Sequence, residues 1–158
     1  MTSVADRLKA LGVTLPPCPE PIGDYVPALI SGDLLYTSGM LPLEGGALAF
    51  TGRVGAERSV EEGIRAARLA ALNAVAAMAQ ALGGAAGLDR IERIVQVTGH
   101  ILSTAEFSDQ PQVLNGASEW LGSLFGERGQ HTRLALGAFA LPKNATVEVA
   151  LVARIGTE

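Results

Sequence analysis

The chain has 158 residues, of which 48% are hydrophobic, 18% charged and 4% aromatic, with a formal net charge of −4. This balance suits one compact domain with a largely aliphatic core. Only two lysines, Lys9 and Lys143, are present and the arginines are scattered singly. No basic stripe is therefore available to displace counterions from a nucleic acid, and a membrane surface is disfavoured on the same ground.

Residues 2–11 read as a short helix with Thr2 or Ser3 as N-cap and Gly12 as the stop. Pro16, Pro17, Pro19 and Pro21 then forbid a helix and predict an extended connector. Residues 1–19 are accordingly read as an N-terminal helix and proline-rich arm, and 20–158 as a single domain. Segments 26–30 and 34–38 flank Ser31-Gly32-Asp33 and predict a hairpin. After a glycine-rich stretch, Ser59 and Glu62 form a capping box for a long alanine-rich helix. Ile64, Ala67, Ala71, Leu72, Val75, Met78, Ala79 and Leu82 recur on one face, and Glu61 can pair with Arg65 one turn on.

Gly83-Gly84 ends that helix, and 91–102 predicts the strongest strand. In this strand Val95, Val97 and Ile101 share one face, and Gln96, Thr98 and His100 the other. A second helix is predicted over 113–125, followed by strands at 131–139 and 146–154. By the same alternation Arg133, Ala135 and Gly137 lie together, as do Glu148, Ala150 and Val152. The order β-β-(β)-α-β-α-β-β leaves one sheet face without helices, and 158 residues provide no second helical layer. Oligomerisation is the simplest cover, with ligand sites expected between subunits on that semi-polar face.

The segment 129–154 carries most of the chemistry. Two apolar strands joined by Leu141-Pro142-Lys143-Asn144-Ala145 each hold one inward charge, Arg133 and Glu148, a pattern that suits a small anionic ligand. Arg133 could equally be an interface arginine paired across subunits, and Glu148 could pair with Arg133 or cap neighbouring backbone. His131 and His100 are solitary and read as structural, and Trp120 as packing. The glycine pairs lack a following Gly-Lys-Ser/Thr and are turns rather than a phosphate loop. Cys18, the only cysteine, is an incidental thiol; it excludes an intrachain disulfide or thiolate metal site and fits a reducing compartment. The opening residues lack a leader-like apolar run, and 66–82 is interrupted by Arg68, Asn73 and Gln80. The reading is a cytoplasmic protein without a membrane span.

Pro21-Ile22-Gly23-Asp24-Tyr25, Thr37-Ser38-Gly39-Met40-Leu41-Pro42, Asn115, Arg133, Leu141-Pro142-Lys143 and Val147-Glu148 occur in the order and spacing of the RidA/YjgF family, also labelled endoribonuclease L-PSP. The chain resembles its longer branch, in which an N-terminal extension precedes the domain and a pattern such as Gly129-Gln130-His131-Thr132-Arg133 carries the arginine. The resemblance implies a chorismate-mutase-like α+β fold, a mixed sheet with two main helices on one face, assembled as a homotrimer with clefts between subunits. It also implies hydrolysis of reactive enamines and imines, such as 2-aminoacrylate, to 2-keto acids and ammonia, without metal or cofactor. Carried over by position, Arg133 would bind the substrate carboxylate and Glu148 would orient water or shuttle a proton. Tyr25, Ser38, Gly39 and Asn115 would line the pocket, with the carbonyl of Ala135 as acceptor. Met40, Leu134, Ala135 and Ala150 depart from the commoner family residues. A trimeric carboxylate-binding protein without turnover is the alternative reading.

Overall fold

The computed structural model describes residues 1–157. Helix α1, Val4–Ala10, is capped by Ser3, whose hydroxyl accepts from the Asp6 backbone N–H at 3.1 Å. It ends before Gly12, whose φ of 67° reverses the chain. Val4 and Leu8 are buried in the main core, and Asp89 accepts from the Val4 N–H at 2.8 Å. The opening helix is thus anchored to the domain, and only the proline-rich stretch behind it runs as a strap.

β1, Ala28–Ser31, and β2, Leu34–Thr37, form the expected hairpin, with Gly32 at φ 63° in the turn. A two-stranded ribbon follows, β3 (Leu43–Glu44) with β4 (Ala47–Leu48). The capping box forms as read: Ser59 and Glu62 exchange bonds of 3.2 and 2.8 Å and open α2, Val60–Ala81. Glu62 also pairs with Arg58 at 3.3 Å, while Arg65 lies over the Phe50 ring. A 3-10 segment, Ala85–Arg90, leads into β5, Ile91–Leu102.

Helix α3 spans Gln110–Phe125 and begins three residues before the sequence expectation. Pro111 is the reason, because a proline in the first turn removes only an N–H that has no helical partner. β6, Thr132–Ala138, and β7, Val147–Ile155, complete the chain.

The main sheet has the order β1-β2-β7-β5-β6. Only β5 and β6 are parallel, joined by the α3 crossover; the other pairs are antiparallel. Both long helices cover one face, α2 against β7 and α3 against β5 and β6. The buried surface of α2 is built chiefly from alanines, among them Ala66, Ala67, Ala70, Ala71 and Ala74. Methyl groups this small let the helix approach the strands closely, and Ile94, Val97, Ile101, Val149 and Leu151 fill the space beneath.

Strand alternation is interrupted twice along β5, between Ile91 and Arg93 and again between Ile94 and Gln96. Ile94 pairs with Ala153 and Gln96 with Val152, so β5 carries an extra residue at Val95. The bulge turns Val95 outward, where it is 37% exposed, instead of placing it beside Val97. The helix-free face carries Leu29, Tyr36, Gln96, Thr98, His100, Leu134, Leu136 and Glu148, a mixture of exposed apolar and polar groups.

Candidate active site

Register decides which candidate residues meet. His100 lies opposite Glu148 on β7 and Leu136 on β6, so these three share the helix-free face. Val97 lies between Leu151 and Arg133 and is fully buried under the helices. Arg133 therefore points to the helix side. The expectation that Arg133 and Glu148 share the semi-polar face is corrected: alternation groups residues correctly within each strand, but the phase between strands puts the two charges on opposite faces of one chain.

Glu148 sits beside residues 38–40. Met40 and Val149 exchange backbone hydrogen bonds of 2.8 and 2.9 Å, which brings Gly39 directly under the Glu148 side chain. A Cβ at Gly39 would stand 2.2 Å from Glu148 Oε1, closer than any side chain could fit. Glycine here is what lets the Glu148 side chain lie across residues 38–40. Tyr25, Gly39, Met40, Pro142 and Glu148 line a cleft of about 50 Å³, walled on its other side by Pro19, Glu20, Pro21 and Ile22 of the arm. Ser38 supports this cleft indirectly. Its hydroxyl donates to the Val26 carbonyl at 2.7 Å and its N–H to Pro27 at 2.8 Å, fixing the segment that presents Tyr25. The Tyr25 hydroxyl in turn accepts from the Ile22 N–H at 3.2 Å.

Arg133 occupies a second location, on β6 against α3. One terminal nitrogen donates to Ser118 Oγ at 3.2 Å and the other to the Pro111 carbonyl at 3.1 Å. His131 Nδ1 lies 2.6 Å from the Gly129 carbonyl, which can only accept, so Nδ1 carries the proton. In the neutral ring Nε2 then accepts from the Ser118 hydroxyl at 2.9 Å, and that oxygen accepts from Arg133. Gly129, His131, Ser118 and Arg133 form one polar chain that holds the guanidinium in place. A Cβ on Gly129 would meet the Leu121 carbonyl at 2.5 Å, which accounts for the glycine at the head of the motif. Among the described residues no carboxylate lies within ion-pair distance of Arg133.

Asn115 lies on the same helix between Pro111 and Ser118, and Ala135 follows Arg133 on the same face, packed on the core. The candidate residues thus divide into two half-sites: Tyr25, Gly39 and Glu148 with Ser38 behind them, and Arg133, Asn115 and Ala135. Sequence reading missed Ser118, the arm residues of the cleft, and the placement of His100 opposite a carboxylate. Only Ser118 had a local signal, at helical spacing from Pro111 and Asn115. Cys18 is half-buried, and burial followed by the Glu20 carboxylate pushes its thiol up, away from a reactive thiolate. Among the described residues, no group of three His, Cys, Asp or Glu is placed to hold a metal, and no helix is long and apolar enough to cross a membrane.

The family described as "YjgF/chorismate mutase-like, putative endoribonuclease" matches residues 5–155. The chain belongs to this family. Protein TCP17 of Trypanosoma cruzi is 42% identical over 147 residues, 92% of this chain and 90% of the relative. Among solved structures, the YjgF-family chain is similar to Atu1372 of Agrobacterium tumefaciens, a protein of unknown function. The two are 43% identical with a TM-score of 0.88, over 98% of this chain and 92% of the other. It is also similar to a protein of Shewanella oneidensis MR-1 described as "a putative endoribonuclease", at 36% identity and a TM-score of 0.92 over 98% and 100%. The YjgF gene product of Escherichia coli, 22% identical with a TM-score of 0.58, shares the fold.

Proposed function

We propose that this YjgF-family protein is a hydrolytic deaminase of small 2-enamine and 2-imino acids, releasing the 2-keto acid and ammonia. The observation that carries the reading is the state of Arg133. A guanidinium held rigidly by neutral acceptors, with no carboxylate partner among the described residues, presents a planar charge suited to a substrate carboxylate. Glu148 would take a proton from water as it adds to the carbon of the protonated imine and return it to the nitrogen of the carbinolamine. As the carbon–nitrogen bond breaks, the same carboxylate would accept the carbinolamine hydroxyl proton, leaving the keto acid and ammonia.

The two half-sites lie on opposite sheet faces of one chain, so the complete site needs a second copy. Leu29, Tyr36, Leu134 and Leu136 leave a broad apolar patch on the helix-free face, each at least 40% exposed. The cleft of about 50 Å³ around Glu148 is also smaller than the roughly 300–1,000 Å³ usual for ligand sites. A closed homotrimer, with Arg133 of one copy facing the Glu148 cleft of the next, fits both observations. The relatives' endoribonuclease description finds little support here, because the net charge is −4 and the arginines are dispersed.

The test measures keto-acid release from freshly generated 2-imino acids. Arg133→Ala should lose roughly ten- to a hundredfold in kcat/KM, as expected for charge-assisted hydrogen bonds. Glu148→Gln should lose about 10²–10⁴, as for general acid–base catalysis. Co-expressing the two inactive variants should restore about a quarter of the sites, since each needs an intact residue from two different copies. Absence of turnover by the wild type, together with stabilisation by 2-keto acids, would favour the non-catalytic binding protein. Failure of the mixture to recover activity would overturn the site shared between copies.

A further inference from the structure

A second groove, of about 520 Å³, opens beyond the end of β6 and shares no lining residue with the Glu148 cleft. Its walls include Arg53, Thr104, Phe107, Gln110, Gly137 and Phe139. This volume falls within the roughly 300–1,000 Å³ typical of small-molecule sites. Arg53 is its only charged wall residue.

The groove has a fixed donor. Gly52, at φ 98°, turns the chain, and the Arg53 N–H and carbonyl are closed by Glu57 Oε2 at 2.9 Å and the Arg58 N–H at 2.9 Å. From this turn the Arg53 side chain reaches across two strand ends. One terminal nitrogen donates to the Ser103 carbonyl at 3.0 Å and the other to the Phe139 carbonyl at 2.5 Å. The guanidinium also lies 5.8 Å from the centre of the Phe139 ring. Two of its five N–H groups are thereby used. Among the described residues the remaining donors have no partner, and no carboxylate lies within ion-pair distance.

The other walls are equally ordered. Gln110 spends both side-chain N–H groups on Ser103 Oγ at 3.3 Å and the Phe107 carbonyl at 2.9 Å, leaving its own oxygen as an acceptor. A Cβ at Gly137 would crowd Gln110 Nε2 at 3.1 Å and Ser103 Oγ at 3.3 Å, so glycine keeps the floor open. Phe139 is 91% exposed, an unusual position for a phenyl ring in a folded chain. A partly desolvated guanidinium beside the Phe139 ring, in a groove also walled by Phe107, matches a ligand with a carboxylate at one end and a flat apolar body behind it.

We infer that this groove is a binding site for a small planar carboxylate, its anionic end held by Arg53 and its flat body seated against Phe107 and Phe139. The site does not depend on the deaminase reading, since it uses neither Arg133 nor Glu148.

Isothermal titration of the full-length protein with benzoate tests it, with benzamide as the neutral isostere and acetate as the carboxylate without a ring. Benzoate should bind, with benzamide and acetate each weaker by at least about tenfold, the scale of a lost charged hydrogen bond or a lost buried ring. Arg53→Gln and Phe139→Ala should each weaken benzoate by about tenfold. Arg133→Gln should leave that component in place. Arg53 also ties two strand ends together; should Arg53→Gln fail to fold, the solvent-exposed Phe139→Ala and the charge-preserving Arg53→Lys carry the same test. The inference is overturned if benzoate does not bind at millimolar concentration. It is equally overturned if its binding survives Phe139→Ala and the Arg53 variants unchanged, or is abolished by Arg133→Gln.

Discussion

Two glycines in α3 should respond to the same substitution with opposite signs. Gly116 faces α2, and a Cβ placed there would stand 2.1 Å from the Ile64 carbonyl oxygen and 2.9 Å from its carbon. A backbone carbonyl cannot swing aside as a side-chain tip can, so Gly116→Ala requires the helices to separate by about 1 Å against close-packed alanines. Overpacking of this kind costs about 1–3 kcal/mol, and its upper end applies when backbone must move. The helical preference of alanine over glycine returns up to about 1 kcal/mol. The net expectation is a loss of about 2 kcal/mol, or about 4–8 °C in Tm for a chain of this size. Gly122 lies two turns further along, and a Cβ there meets nothing within 4 Å. Gly122→Ala should therefore stabilise, by about 0.5 kcal/mol this close to the helix end. Urea unfolding at one fixed protein concentration reads both, because an oligomer's midpoint depends on concentration. A Gly116→Ala protein as stable as the wild type would refute the close-approach argument. So would shifts of the same sign in the two variants.

Asn73 is 2% exposed and donates from Nδ2 to the Leu41 and Leu43 carbonyls at 3.0 and 2.9 Å. Asn73→Ala should cost about 2 kcal/mol or more by stranding buried acceptors, and an unchanged urea midpoint would exclude that role. Gly39→Ala should displace the Glu148 carboxylate with little loss of stability, since the side chain can swing away, yet abolish turnover; full activity in the folded variant would remove Glu148 from the chemistry. The Ser59 backbone N–H, and then Arg58, hold the Glu62 carboxyl below its ordinary value. A depressed folded pKa means that its stabilising effect is complete above about pH 4.3 and disappears as pH falls through the lowered value. The Tm gap between wild type and Glu62→Gln should stay constant near neutrality and close in acid. A gap that persists at about pH 3 would assign the effect to something other than the charge.

The parts legible in the sequence are those specified by neighbouring residues. Ser59 and Glu62 mark the start of α2 because a capping box is a local exchange of bonds. The long apolar run from Ile91 predicts β5 over its observed span. Val95 departs because a bulge is a property of pairing with β7, which β5 alone does not encode. The same distinction separates success from failure at the candidate site. Alternation groups Arg133 with Ala135 and Glu148 with Ala150, but only the pairing of Val97 with Arg133 and of His100 with Glu148 assigns those groups to faces. The four prolines of the arm similarly dictate an extended path without saying that it borders the Glu148 cleft.

The alanine surface of α2 makes the domain's tolerance to mutation one-sided. Alanine has almost nothing to lose, so the cavity-forming truncations that damage most cores have few targets along this helix. Enlargement is the hazard. Ala70 and Ala74 are fully buried, and even valine at either would have to push a whole helix from the sheet rather than rearrange a neighbouring side chain. Variation along α2 should therefore be confined to its outward positions, such as Arg65 and Arg68, while the inward surface has room to change neither in size nor in polarity.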